Sequence, residues 1–65
     1  MNISKLVTDL PAEASAVGAF VTGVDKLVTD AKTAGLTSVA ISDIEALVPE
    51  GEAVIEDTKA VVTDL

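Results

Sequence analysis

The sequence predicts an all-α protein: a small bundle of three to four short amphipathic helices, completed by self-association. Three observations carry that expectation. Apolar residues recur at i, i+3, i+4 and i+7 in four successive stretches, the spacing of one helix face. Pro11, Gly35 and Pro49 fall between those stretches. The chain has 65 residues, no cysteine and no histidine, so neither a disulfide nor a thiolate or imidazole metal site can brace it. A single domain of this size hides roughly 60% of its unfolded surface, about 5,700 Å². Chains this short usually need further support, and a second subunit or unusually good packing are the forms left open.

The first element spans about residues 2–10, where Ile3, Leu6, Val7 and Leu10 form one face. Pro11 either breaks this helix or opens the next at its first position. The second element spans about 11–34, with Glu13 near its start and Lys32 near its end, as the helix dipole favours. Gly35 follows as the residue that ends it. Its apolar stripe runs through Val17, Phe20, Val21, Val24, Leu27 and Val28. The other side is small: Ser15, Gly18, Ala19, Thr22 and Gly23. Gly18 and Gly23 are either tolerated weak points, each costing ~1 kcal/mol against alanine, or sites of close packing.

The third element spans about 38–48, with Thr37 or Ser38 as cap and Ala40, Ile41, Ile44, Leu47 and Val48 as its face. The alternation in "LTSVAI" also fits a short strand. The fourth spans about 50–65 and carries Val54, Ile55, Val61, Val62 and Leu65. Both prolines leave an alternative topology open, in which they kink fewer and longer helices that interlock between two chains. Ten valines, four isoleucines and seven threonines are a heavy β-branched load for helices. Packing, within the chain or between chains, has to hold them.

One phrase recurs: "KLVTD" at 5–9 and 26–30, and "AVVTD" at 60–64. In each, two adjacent apolar residues read as buried, with the Thr and Asp after them turned outward. The first two copies lie three heptads apart, but the third lies 34 residues beyond the second, so the spacing supports no solenoid. Reuse of one amphipathic turn is the expectation, with duplication the second choice.

The chemistry available is thin. There is no His base, Cys nucleophile, Arg or Tyr, and no phosphate-binding or nucleophile-elbow motif, so no catalytic residue is expected. No cofactor or metal is expected either. The acids of "DIEALVPEGE" read as a solvated face and helix-start charges, and they lack the ligand spacing of a calcium loop. The net charge of −7 argues against nucleic acid and against anionic membranes, and favours a basic protein partner. No secretory signal is evident and the longest uncharged run, Ala14–Val24, is too short to span a bilayer, so a cytoplasmic protein is the default.

The expected activity is therefore non-enzymatic: self-association, a dimer being favoured, together with protein–protein interaction. The candidate interface on the second helix is Val17, Phe20, Val21, Val24, Leu27 and Val28. On the fourth it is Val54, Ile55, Val61, Val62 and Leu65. Small helical chains of this kind are frequent among phage and mobile-element products, which makes an accessory or structural role there one expectation. In size, helix count and Ala/Val/Gly-rich composition the chain resembles circular bacteriocins, compact helical bundles. That resemblance covers no motif. It implies membrane permeabilisation as the alternative function, although those peptides are usually cationic.

Overall fold

In the computed structural model, which describes all 65 residues, the chain is a hairpin of two long antiparallel α-helices. Helix α1 runs Ile3–Ala34 and helix α2 runs Ser38–Asp64. The hairpin extends 48 Å, the length of a 32-residue helix at ~1.5 Å per residue. At the open end the two chain termini are tied together, the Asn2 N–H donating to the Asp64 carbonyl at 2.6 Å.

The protein is thus all-helical, but it has two helices where the sequence suggested three to four. The expected breaks at Pro11 and Pro49 do not occur; both prolines lie inside helices. A proline in a helix interior costs about 3 kcal/mol, because it removes one N–H and crowds the carbonyl four residues back. Two features offset that cost here. Both prolines are exposed, so water can reach the carbonyls of Val7 and Glu45 that lose their donor. The apolar spacing also continues in register across each proline, and one long helix buries more of it than two misaligned short ones.

The helix ends follow local chemistry. The Asn2 side chain caps α1 by accepting from the Lys5 N–H at 3.1 Å, a cap the apolar spacing did not reveal. Gly35 ends α1 with φ +73° and donates its N–H to the Ala31 carbonyl at 2.8 Å. Thr37 occupies the cap position of α2 in extended backbone, but its side chain makes no capping bond. The strand considered for "LTSVAI" is absent: Leu36 and Thr37 belong to the connection and the rest is the first turn of α2.

A heptad description organises the hairpin. The less exposed residues of α1 recur with alternating steps of three and four: Leu6, Asp9, Glu13, Ala16, Phe20, Gly23, Leu27 and Asp30. Those of α2 do the same, through Ala40, Asp43, Leu47, Glu50, Val54, Asp57, Val61 and Asp64. Calling these positions a and d, the a row is mostly apolar and the d row is acidic or small. Seven of the eleven acidic residues face this seam.

This corrects the reading of the repeated phrase. Its aspartate does not turn outward. Asp9 and Asp30 are half-buried and Asp64 is only 3% exposed. In every copy the residues occupy positions g, a, b, c and d. The register shows a fourth copy, "VAISD" at 39–43, whose Asp43 is 8% exposed. Each helix therefore opens and closes on the phrase, 21 residues apart in both. The 34-residue step that fitted no heptad count is the step across the connection to the equivalent position of the next helix.

The two helical glycines behave differently. A Cβ on Gly23 would lie 2.7 Å from both the Leu47 Cδ2 and the Glu50 Oε2, so this position brings the helices close. A Cβ on Gly18 would meet nothing within 4 Å. Gly18→Ala should therefore raise the melting temperature by about 4–8 °C, the equivalent of ~1 kcal/mol of helix propensity in a domain of this size. Gly23→Ala gains the same propensity but must displace two side chains, and should fall clearly short of that rise. Thermal melts of the two variants side by side check the difference.

Candidate association face

In an antiparallel pair the a rows of both helices lie toward one side of the hairpin and the d rows toward the other. Positions e and b continue the a side, and position g continues the d side. Observed contacts follow this geometry. On the a side, the Thr58 hydroxyl (position e) is 2.9 Å from the Glu13 Oε2, and Gly51 (position e) lies against the Phe20 ring. On the d side, the Lys26 ammonium (position g) donates to the Asp43 Oδ1 at 2.7 Å.

The a side is apolar and open. Its e and b rows carry, among others, Val7, Val17 and Val21 on α1 and Ile41, Val48 and Ile55 on α2, all exposed and the first of them by 70%. A helix with three adjacent apolar rows usually packs against two neighbours. Here each helix has one. Only Ala40 is a fully buried apolar residue. The chain exposes 4445 Å², against about 3,900 Å² expected for a compact monomer of this mass. The hairpin thus leaves several hundred Å² more in water than its size requires.

The eleven interface residues expected from the sequence divide between two environments. Phe20, Val24, Leu27, Val54 and Val61 are half-buried, in or beside the seam between α1 and α2. Val17, Val21, Val28, Ile55, Val62 and Leu65 are exposed on the open apolar side. Ile3, Val7, Leu10, Ile41, Ile44 and Val48 share that exposure and were not among the residues expected. Their signal was present, since all recur at helical spacing, but spacing alone does not say which of two adjacent stripes the neighbouring helix covers.

The d side is acidic, and its chemistry is concentrated at the two ends. Near the connection, Asp30 and Asp43 face each other and Lys26 bridges them, at 3.1 Å and 2.7 Å. The hydrogen bond shared with Asp30, and then the one donated by the Lys26 ammonium, hold the Asp43 carboxyl below its ordinary value. The same contacts, Asp43 first, raise the Lys26 ammonium. Near the termini, Asp9 and Asp64 face each other with Lys5 in the position equivalent to Lys26. Its ammonium stays 3.9 Å from Asp64, too far for a hydrogen bond. There the Asp64 carboxyl is pushed up, first by its hydrogen bond with Asp9, then by burial and by the Asp9 charge. One repeated phrase therefore builds two acid pairs; in the pair near the connection the α2 aspartate, Asp43, is held below its ordinary value, and in the pair near the termini the α2 aspartate, Asp64, is held above it.

Three buried carboxylate oxygens on this side have no hydrogen-bond partner: one each on Asp43, Glu50 and Asp64. They are spaced by whole heptads along the d row. The acids meet as pairs, and nowhere do three converge in an arrangement that could hold a metal ion. The chain encloses no pocket, and neither helix is long and apolar enough to cross a membrane. Compared with known protein families, curated proteins and solved structures, the chain matches none.

Proposed function

We propose that this protein works without catalysis, by associating with itself and through that assembly with other proteins. The observation that carries the reading is the continuous apolar side of the hairpin, exposed along the full length of both helices. Contiguous apolar surface of this extent marks an interaction site. The absence of His, Cys, Arg and Tyr from the sequence fits a non-enzymatic role. The net charge of −7 favours a basic protein as the further partner. An accessory or structural role in a phage or mobile element agrees with this reading.

Sedimentation equilibrium over a hundredfold concentration range tests it, with circular dichroism on the same samples. A discrete oligomer, with helix content that follows assembly, is the expected result. A helical monomer at every concentration would overturn the proposal. The second reading, a membrane-active peptide, draws on the same apolar side. It requires leakage from lipid vesicles at micromolar protein and helix content that grows with lipid.

A further inference from the structure

Resting on that reading of self-association, we infer that the occupant of the open apolar side is a second copy of this chain, seated face to face so that two hairpins close into a four-helix bundle. The core of that bundle is the a, e and b rows, and the acidic d rows stay on its two outer sides.

Three observations select a second copy. The first is area. A side of 48 × 14 Å offers about 670 Å², close to the ~800 Å² per partner of a standard stable interface. The surface in excess of a compact monomer's is of the same order, so one partner of this chain's own size removes it. The second is the repeat of register. Both helices place the same rows on the same side, so the face consists of two equivalent stripes running in opposite directions. A two-fold operation can lay such a face on itself, and closed two-fold pairs are the commonest oligomers. The third is charge. A helix that lies on an anionic lipid surface carries Lys and Arg on its polar side. Here that side is dominated by Asp43, Glu50, Asp57 and Asp64, and Lys26 is already held between two carboxylates. The a, e and b rows themselves carry one charged residue, Glu13, which faces the Thr58 hydroxyl.

Matched substitutions test the face. Val21→Glu and Ile55→Glu place a charge on it, at side chains 51% and 56% exposed. Ala19→Glu and Ala53→Glu place the same charge two residues away on the opposite, d and g side, also at exposed positions. Either face variant should raise the dimer dissociation constant at least about 100-fold, since a dimer buries two such charges unpaired. Either control should change it by less than about threefold. Folding is coupled to assembly here, so a milder double variant, Val21→Thr with Ile55→Thr, accompanies them. It should weaken association about tenfold while keeping full helix content at high concentration. An oligomer that ignores the face variants and yields to the controls would overturn this assignment and leave self-association standing. A wild-type chain that is monomeric throughout would remove both. A monomer that binds neutral phosphatidylcholine vesicles would replace the second copy with lipid.

Discussion

The melting temperature should rise as the pH is lowered from about 7 toward the carboxylate range, then fall again at still lower pH. The rise belongs to Asp64. Its carboxyl is held above the ordinary value of 3.8, chiefly by the hydrogen bond it shares with Asp9. The folded chain therefore binds that proton more tightly than the unfolded chain does. The resulting stability is fully present below the unfolded value and is lost as the pH climbs through the raised folded value. The fall belongs to Asp43, which is held below 3.8 by Asp30 and Lys26. Its contribution is present above the unfolded value and disappears as the pH drops through the lowered folded value. The optimum thus lies on the acid side of neutrality, where Asp64 has taken up its proton and Asp43 still lacks one.

Two amide substitutions separate the contributions. Asp64→Asn supplies at every pH the donor that protonation supplies to the native pair. It should raise the melting temperature by several degrees at neutral pH and flatten the rise on acidification. Asp43→Asn keeps an oxygen that can accept from Lys26 but removes the charge that pairs with the ammonium, and should lower stability at neutral pH while flattening the fall in acid. Thermal melts of the three proteins at half-unit pH steps decide the matter. A wild-type curve that falls monotonically from neutral pH, unaltered by Asp64→Asn, would show that the Asp9–Asp64 pair does not hold the proton.

The same pairs show what could be read from the sequence and what could not. Helix was legible throughout because the apolar spacing persists for the length of both elements. The ends were legible where a residue does a job only it can do, as Gly35 does at φ +73°. The two prolines misled because each was judged as a local cost, whereas continuity of register across Pro11 and Pro49 is a gain spread over the whole helix. The aspartates misled for a related reason. Thr and Asp after two apolar residues read as a solvated edge, yet Asp9, Asp30 and Asp64 sit one step from the a row on the seam side. Asp64 and Asp43 each sit in the seam beside a group that shares the proton or the charge. Those groups, Asp9 for Asp64 and Lys26 for Asp43, lie in distant turns or on the opposite helix. The apolar residues of the candidate interface were legible as a set, but their division between seam and open side was not. That division depends on a rotation of each helix by about one row, and rows a, e and b are almost equally apolar.

Phe20→Ala should lower the melting temperature by roughly 6–20 °C. Truncating a fully buried Phe costs about 3–5 kcal/mol, and a half-buried ring such as this one about half of that, or ~1.5–2.5 kcal/mol. One kcal/mol moves the midpoint of a domain this small by about 4–8 °C. The chain has no second aromatic residue to take over. The ring fits because α2 offers it a glycine: a Cβ on Gly51 would stand 3.4 Å from the Phe20 Cε2. Gly51→Ala should therefore be nearly neutral, its gain of ~1 kcal/mol in helix propensity set against a small shift of the ring. Phe20→Leu should recover more than half of the loss, since it restores apolar volume without the ring's reach to α2. Melting of the three variants at one fixed protein concentration measures these differences. A fall of less than about 5 °C for Phe20→Ala would mean that the ring contributes little, and that the remaining a row together with the paired acids holds the hairpin closed.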